Sequence, residues 1–364
     1  MRFEVTRALD AIERRLSTDP LKTGAVVDLG EAVRFADLDG GRPAQLIRVG
    51  MVIDALSRQL GDDGVALYPV ASRALLSDTD LTSNERMVIR RWSDDGLAEV
   101  VPAELPALAR VCEVAALIGQ PVLTRLPLPG YSGVRYAPVP SPGGAALDGG
   151  LGTTPQRHAV LGRRWQCSVP DCASFGVTAG PFSGGAARDG GQPPPHLVRG
   201  VPFCPRHGER LADAGTQPAA VPMVARVDGA VRERFVVTEG RPVVVGRSPD
   251  GRDGIVLGPH LDDEAVRRVS RNHLRLEVRG GELSVTDLST NGTVVLSRPG
   301  PRDAPRPVGL SLDKPYVLGE WDLVQLHEGV EVCRADRQSA SGGVAQQSSV
   351  MGDAPTMAMR LPRP

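Results

Sequence analysis

The sequence has few aromatic residues, almost no lysine and no long apolar segment. Phe, Trp and Tyr make up 4% of its 364 residues, and only Lys22 and Lys314 are lysines. The net charge of -1 gives no overall sign of a nucleic-acid-binding protein. No apolar run approaches the length of a membrane-spanning helix, and the N-terminal residues carry acids where a signal peptide has an apolar core. We therefore expect a soluble cytoplasmic protein that does not contact membranes.

Sequence motifs of common enzymes are also missing. The chain has no glycine-rich loop ending in Gly-Lys and no protein-kinase signature. Ser270, His273 and Asp287 are the residue types of a hydrolase triad. However, Ser270 and His273 lie three residues apart at the start of a predicted strand, and no nucleophile elbow precedes the serine. We predict that the protein is not an enzyme.

Glycine and proline are abundant, with 42 and 32 residues respectively, which indicates extensive loops between separate domains. The length allows two or three domains. Residues 121–158 are rich in Pro and Gly and are predicted to be a linker. Residues 337–364 are polar and rich in glycine, and we predict a disordered tail.

Residues 1–120 are predicted to form an α-rich domain. Apolar residues recur at helical spacing near both ends of this region, and Thr82-x-x-Glu85 has the form of a capping box. The order of helices followed by the extended segment "LAEVV" suggests a winged-helix-like fold, which raises the question of DNA binding. Acids outnumber basic residues here, however, and a small α-rich packing or dimerisation domain is the alternative.

Residues 159–215 contain two pairs of metal-binding residue types. The pairs are Cys167-x4-Cys172 and Cys204-x2-His207, and nearby Pro and Gly let the backbone turn so that each pair points to one centre. A Cys3His set fills the tetrahedral coordination of zinc and leaves no open position. The region also has too few apolar residues to fold without a metal. We predict a zinc-ribbon-like module with a structural zinc ion and a flexible insertion.

In residues 219–336 the apolar residues alternate, which is typical of β-strands. Leu274, Leu276 and Val278 face one side of a strand, and short strands with regular turns follow. This pattern predicts an all-β sandwich. The complete fold class is therefore multidomain, with an α-rich N-terminal domain, a small zinc ribbon and this sandwich.

Polar residues flank several of these strands. "GRS" near Arg247, "VSRNH" with Ser270 and Arg271, and "DLSTNGT" with Thr290 and Asn291 all fall on predicted loops. If the loops share one end of the sandwich, they present guanidinium, hydroxyl and amide donors that suit a phosphate dianion. The ordered set of three motifs resembles the forkhead-associated (FHA) domain over about a third of the chain.

The resemblance implies a sandwich that binds phosphothreonine peptides through its apical loops. Arg247 and Ser270 would hold the phosphate, and Arg271 would contact the phosphate or the peptide backbone. Asn291 would form a hydrogen bond with the peptide main chain. Thr290 would help to form the pocket for the phosphothreonine methyl group.

The resemblance also implies structural roles within the motifs. Gly246 and Gly292 would set the loop geometry, and His273 would be an architectural residue behind the Ser270 loop. A departure from the family is the long segment between the arginine and serine motifs, which carries Asp262, Asp263 and Glu264. These acids would shape peptide choice or oppose the entry of phosphate.

These features predict a phosphothreonine-binding adaptor in a Ser/Thr kinase pathway, whose partner is a phosphorylated protein or the kinase itself. The alternative is a transcription regulator that binds DNA through its N-terminal domain or zinc ribbon. Thr356, the only threonine of the tail, is a candidate phosphosite that would let the tail bind its own FHA pocket or that of a second protomer.

Overall fold

The computed structural model describes residues 2–153, 155–176, 192–251, 253–300 and 303–335. These residues form an N-terminal α/β unit, a small unit that contains the cysteine motifs, and a C-terminal β-sandwich. Within these ranges, no helix has the length and hydropathy needed to span a bilayer.

The N-terminal unit alternates helices with strands. Its elements are α1 (Arg2–Glu13), β1 (Thr23–Asp28), α2 (Leu29–Ala32), α3 (Arg48–Leu60), β2 (Ala66–Ser72), α4 (Ser83–Asp94), β3 (Glu99–Val101), α5 (Ala107–Ile118), β4 (Val122–Leu123), β5 (Arg135–Ser141) and β6 (Gly144–Leu151). The strands form one sheet with the order β3-β2-β1-β4-β5-β6. All neighbours in this sheet are parallel except β5 and β6.

Helices cover both faces of this sheet. In β1, Ala25 and Val27 pack into a core with residues of α1, α3 and α4, whereas Val26 packs into a second core with α5. A strand that is buried on both faces has no polar side. The unit is therefore a three-layer α/β/α sandwich.

The prediction of an α-rich, winged-helix-like domain is wrong. Helices α1, α3, α4 and α5 lie where the apolar spacing predicts them, and the capping box of Thr82 and Glu85 forms at the start of α4. The segments between them, which include "TGAVVD" and "ALYPVAS", form the parallel strands β1 and β2. Since both faces of these strands are buried, their sequences show an unbroken apolar run without the alternation that marks a half-exposed strand.

The prediction of a linker at 121–158 is also wrong, because β4, β5 and β6 complete the sheet there. The prolines within β5 favour a linker in the sequence, because proline has no N–H to donate to the hydrogen bonds of a sheet. Pro138 and Pro140 pair with Leu147 and Ala145 of β6, and they share the orientation of Tyr136, whose carbonyl accepts from the N–H of Thr124, the residue after β4. On the side of β5 that faces β4, the pairing between these two strands ends at Tyr136. Pro138 and Pro140 therefore lack N–H groups only where no bond between β4 and β5 would form.

The small unit consists of two antiparallel strand pairs. Its strands are β7 (Arg163–Gln166), β8 (His196–Val198), β9 (Val201–Phe203) and β10 (Ala212–Thr216), with β7 paired to β10 and β8 to β9. The fully buried Arg110 of α5 ties this unit to the α/β unit: it pairs with Glu99 and Glu113 and donates to the carbonyl of Pro195 at 3.0 Å.

The C-terminal unit confirms the predicted β-sandwich. Its elements are β11 (Ala220–Val227), β12 (Ala230–Thr238), β13 (Val243–Gly246), β14 (Ile255–Val256), α6 (Asp263–Arg268), β15 (Leu274–Arg279), β16 (Glu282–Asp287), β17 (Val294–Ser297), β18 (Arg306–Gly309), β19 (Pro315–Val317), β20 (Leu323–His327) and β21 (Val330–Arg334). One sheet has the order β12-β11-β21-β20-β17-β18 and the other β14-β13-β15-β16-β19. Their inner faces share one apolar core, which includes Leu274, Leu276 and Val278 as the alternation predicts.

The sandwich also contacts the N-terminal unit directly. Asp62 and Asp63, which follow α3, pair with Arg234 and Arg232 of β12. The backbone N–H of Asp63 donates to the carbonyl of Val231 at 2.9 Å. All four charged side chains are mostly buried, so this contact fixes β12 against the end of α3.

Candidate functional site

The three polar motifs of the sandwich meet at one end of the β13–β15–β16 sheet. The backbone N–H of Arg247, which follows β13, donates to the carbonyl of Ser270 at 3.0 Å. The backbone N–H of Thr290, which lies after β16, donates to the hydroxyl of Ser270 at 3.2 Å. Ser270 therefore joins the first motif to the third.

The Arg247 side chain is half-buried and has capacity for a ligand. Its Nη1 donates to the carbonyl of Val266 in α6 at 3.4 Å, a long bond. Its Nε is buried and has no hydrogen-bond partner among the residues that the structure describes. A buried guanidinium N–H without an acceptor is costly, and an anionic ligand is the strongest acceptor for it.

His273 is buried and supports the Ser270 loop from behind. Its Nδ1 accepts a hydrogen bond from the backbone N–H of Ser270 at 3.0 Å, and the backbone N–H of His273 donates to the carbonyl of Val245. Burial lowers the pKa of His273 to about 4, although the nearby Asp287 carboxylate opposes the shift. The imidazole is therefore neutral near pH 7, which leaves Nδ1 free to accept.

This geometry does not support a Ser-His-Asp triad. Nδ1 of His273 is occupied by the backbone amide of Ser270, whereas the hydroxyl of Ser270 lies beside Thr290, with 3.4 Å between the two hydroxyl oxygens. A general base must be within reach of the hydroxyl proton it removes. His273 instead contributes to the shape of the loop.

A buried carboxylate holds the turn that presents Thr290 and Asn291. Asp287 accepts from the backbone N–H of Ser289 at 2.9 Å and from the Thr293 hydroxyl at 2.8 Å. The Ser289 hydroxyl accepts from the N–H of Gly292 at 2.9 Å, and Gly292 has a φ of 83°, which glycine adopts readily. Thr290 and Asn291 stay exposed at the tip of this turn.

Asn291 also connects this turn to α6. Its Nδ2 donates to the carbonyl of Arg268 at 2.7 Å, at the C-terminal end of the helix. Asp262 caps the N-terminal end of the helix, since its carboxylate accepts from the N–H groups of Glu264 and Ala265. The long segment between the first two motifs is therefore partly helical, and it packs on the sandwich core through Ala265 and Val269.

Gly246 is required by the close approach of two loops. A Cβ atom at this position would lie 2.0 Å from the carbonyl oxygen of Arg271, well inside van der Waals contact. The side chain of Arg271 is exposed. Gly246 therefore lets the first and second motifs lie against each other.

The structure brings together all five residues predicted to bind phosphopeptide, on three connected loops. It adds residues that sequence reasoning missed, namely Val266, Arg268, Asp287, Ser289 and Thr293. The segment "DLSTNGT" carried a signal for part of this set, because Asp and Ser side chains commonly accept from backbone N–H groups two or three residues ahead in turns. The contributions of Val266 and Arg268 are backbone carbonyls, which leave no sequence signal.

A second cluster lies in the small unit, where Cys167, Cys172, Cys204 and His207 converge. Their ligand atoms all lie within 4.8 Å of one another. Sγ of Cys172 is 3.7 Å from Sγ of Cys204, and Nδ1 of His207 is 3.5 Å from the Sγ atoms of Cys167 and Cys204. This group could hold a metal ion.

These separations fit a tetrahedral ion. Bonds of about 2.3 Å to sulfur and about 2.05 Å to nitrogen place two sulfur ligands about 3.8 Å apart and a sulfur and a nitrogen about 3.5 Å apart. A hydrogen bond with Cys204 lowers the pKa of the Cys172 thiol, and the N–H of Phe175 donates to its sulfur at 3.3 Å. Both effects favour the thiolate of Cys172, the form that binds metal, whereas the same hydrogen bond raises the pKa of the Cys204 thiol.

Two histidines of the region lie outside this cluster. Nδ1 of His158 accepts from the N–H of Val160 at the start of a short 3-10 helix. Nδ1 of His196 lies 2.8 Å from the carboxylate of Glu113. Thr356, the candidate phosphosite, and the rest of residues 337–364 fall outside the described residues.

Comparison with known protein families gives a match within the C-terminal unit. The FHA domain family model matches residues 243–326, which contain all three motifs. No curated protein matches the chain.

Several solved FHA domains are similar to the C-terminal unit. The FHA domain of human APLF, solved in complex with an XRCC1 bisphospho peptide, is 23% identical, with 31% of this chain and 97% of that chain covered and a TM-score of 0.23. An Arabidopsis thaliana FHA domain is 20% identical, with 36% and 100% covered and a TM-score of 0.25. The FHA domain of a Chlamydia trachomatis protein is 21% identical, with 32% and 99% covered and a TM-score of 0.23.

Proposed function

We propose, from the premise that residues 243–326 form an FHA domain, that this protein is a non-enzymatic adaptor in a Ser/Thr kinase pathway. FHA domains bind phosphothreonine peptides in signalling. The partner would be a protein that carries a phosphothreonine, or the kinase itself. The observation that carries the proposal is the half-buried Arg247 beside Ser270, with a buried Nε that lacks an acceptor among the described residues.

In this proposal, Arg247, Ser270 and Arg271 hold the phosphate. Arg247 supplies a guanidinium that contacts the Val266 carbonyl of α6, and Arg271 supplies an exposed one that can close over the ligand. Ser270 offers a hydroxyl proton to the phosphate while its oxygen accepts from Thr290. Charge-assisted bonds of this kind are the stronger class of hydrogen bond in proteins.

Thr290 and Asn291 would read the peptide around the phosphate. Asn291 exchanges its bond with the Arg268 carbonyl for one with the peptide main chain, and Thr290 lines the space for the threonine methyl group. Gly246, Gly292 and His273 then serve the shape of the loops. Support comes from the rigid turn that Asp287 and Ser289 build beneath these two residues.

Helix α6 sets the charge around this pocket. Asp262, Asp263 and Glu264 lie at its N-terminal end, where acids are favoured by the helix dipole, and Arg267 and Arg268 lie in its last turn. The carbonyl of Arg268 contacts Asn291, so the basic end of the helix is the end next to the pocket. We propose that the acids select basic peptide residues at a distance from the phosphothreonine.

The Cys3His group would hold a structural zinc ion. The donor set is complete for a tetrahedral ion and leaves no position for a substrate. We propose that the small unit and the α/β unit contact a second protein, and that the protein acts in the cytoplasm, where reduced cysteines are available for metal.

The N-terminal unit is not a winged-helix domain, which removes one basis for the DNA-binding alternative. Helix α4, the candidate recognition helix, buries Val88, Ile89 and Trp92. Two of its three arginines are used within the fold, since Arg86 donates to the carbonyl of Asp78 and Arg91 pairs with Glu13. The observations therefore favour the adaptor.

Fluorescence anisotropy with a degenerate phosphothreonine peptide library tests the proposal. We expect the full chain to bind a subset of the library and the Arg247→Ala variant to bind the same peptides at least about tenfold more weakly. A chain that binds no member would refute phosphothreonine recognition. A pull-down from the native cell with the same two proteins, followed by mass spectrometry, would then identify the partner as the protein retained only by the wild type.

A further inference from the structure

A cavity of about 250 Å³ lies where the α/β unit meets the cysteine-containing unit. Three elements of the fold place an arginine in its wall. Arg73 opens the short 3-10 helix after β2, Arg90 belongs to α4, and Arg206 lies in the turn between Cys204 and His207. We call it the arginine cavity.

The positive charge of the arginine cavity is largely uncompensated. Arg90 donates to the carbonyl of Leu76 at 3.0 Å, whereas Arg73 and Arg206 have neither an ion pair nor a side-chain hydrogen bond with any residue that the structure describes. Asp94 is the one carboxylate in the described lining. Arg91, the neighbour of Arg90, lies outside the cavity lining and pairs with Glu13.

The rest of the cavity lining is partly apolar. Leu76, Val100, Val101 and Pro102 form its apolar part, and the last three come from the edge strand β3 and the residue after it. A cavity whose lining combines several cationic side chains with aliphatic surface suits an anion that is attached to a less polar body. Arginine binds phosphate and carboxylate groups through two parallel N–H bonds. A monatomic anion such as chloride cannot accept bonds of this geometry.

We propose that the arginine cavity binds a small phosphate ester of the size of a sugar phosphate or a mononucleotide. The phosphate contacts Arg73, Arg90 and Arg206, the body of the ester lies on the wall formed by β3, and Asp94 accepts from a hydroxyl group of the ligand. The volume is below the range of roughly 300 to 1,000 Å³ that is usual for drug-sized ligands. The small volume favours a small molecule over a peptide segment. This site is separate from the loops around Arg247.

The position of Arg206 connects this cavity to the cysteine cluster. The backbone N–H of Gly208 donates to the carbonyl of Cys204 at 2.8 Å, which closes the turn that carries Arg206. A metal ion held by Cys204 and His207 would fix the same turn. The experiment therefore uses the full chain loaded with zinc.

Isothermal titration calorimetry with ribose 5-phosphate, adenosine monophosphate and inorganic phosphate tests the proposal. We expect saturable binding of at least one ester, tighter than that of inorganic phosphate, with an affinity that falls as salt is added. The double variant Arg73→Gln/Arg206→Gln should bind at least tenfold more weakly. Since both residues are exposed, its thermal unfolding should match that of the wild type.

Two control variants complete the experiment. Arg164→Gln removes an exposed arginine of the same small unit outside the cavity, and Arg247→Ala alters the FHA loops; both should bind the ester as the wild type does. Absence of saturable binding by either ester, or equal binding by the double variant, overturns the proposal. Loss of binding in Arg247→Ala alone assigns the ester to the FHA loops and also overturns it.

Discussion

The backbone N–H of Thr290 donates to the hydroxyl of Ser270 at 3.2 Å, and this bond joins two loops that are separated by the complete β15–β16 hairpin. The same serine accepts through its carbonyl from the N–H of Arg247. A single residue thus aligns the three motifs. Donors that are aligned before the ligand arrives cost less entropy on binding.

Gly246→Ala should disrupt the alignment of these loops. The added Cβ would lie 2.0 Å from the carbonyl oxygen of Arg271. Because the clash can be relieved only by movement of the backbone, we expect the free energy of unfolding to fall by about 1 to 3 kcal/mol. Hydrogen exchange measured by mass spectrometry should show faster exchange in β13 and in the loop before β15. Gly309→Ala, where nothing lies within 4 Å of the new Cβ, should leave exchange unchanged; equal effects of the two variants would contradict the account.

The stability of the sandwich should fall below pH 6.5 because of His273. Its pKa is about 4 in the folded chain and about 6.5 when unfolded, so between these values the unfolded chain binds more protons. Stability from this group is present above pH 6.5, declines as the pH falls, and is lost by up to about 3 kcal/mol at pH 4. Urea unfolding at several pH values measures the loss.

The control for this titration is His273→Asn. The amide oxygen can accept from the Ser270 N–H as Nδ1 of the imidazole does, and it does not titrate. The difference in unfolding free energy between wild type and variant should therefore change between pH 6.5 and 4. A constant difference over that range would show that His273 is not the titrating group.

Asn291→Ala should weaken peptide binding. Asn291 is exposed, and we assign its amide to the peptide main chain, so its removal should raise Kd about fivefold, equivalent to about 1 kcal/mol. Anisotropy with a phosphothreonine peptide measures the change. Asn84→Ala, an exposed position in α4, is the matched control, and an identical Kd for both variants would remove Asn291 from the interface.

Cys172→Ser should abolish zinc binding. Because all four donors are needed to close a tetrahedral site, the variant should lose the single equivalent of zinc that we expect by elemental analysis, and the fluorescence of Trp165, which packs on the cluster, should change. Cys112→Ser alters a half-buried cysteine outside the cluster and should keep the metal. Full zinc content in Cys172→Ser would exclude the Cys3His site.

The sequence predicts the parts of this fold that depend on short local patterns. The three FHA motifs and the Cys3His pairs have fixed spacings, and alternation identifies strands such as Leu274–Arg279. The α/β unit was missed because β1 and β2 are buried on both faces and lack alternation, and because Pro138 and Pro140 occupy a strand side without pairing. The arginine cavity could not be predicted, since Arg73, Arg90 and Arg206 converge only through the packing of two units.

The most direct test of the central claim compares one peptide in two forms, with threonine and with phosphothreonine, by fluorescence anisotropy. The account predicts that the full chain binds only the phosphothreonine form, and that Arg247→Ala weakens this binding by at least about tenfold, or about 1.5 kcal/mol or more. Arg275→Ala, an exposed position on β15 outside the loops, should bind as the wild type does. Equal affinity for both forms of the peptide, or full binding by Arg247→Ala, would contradict it.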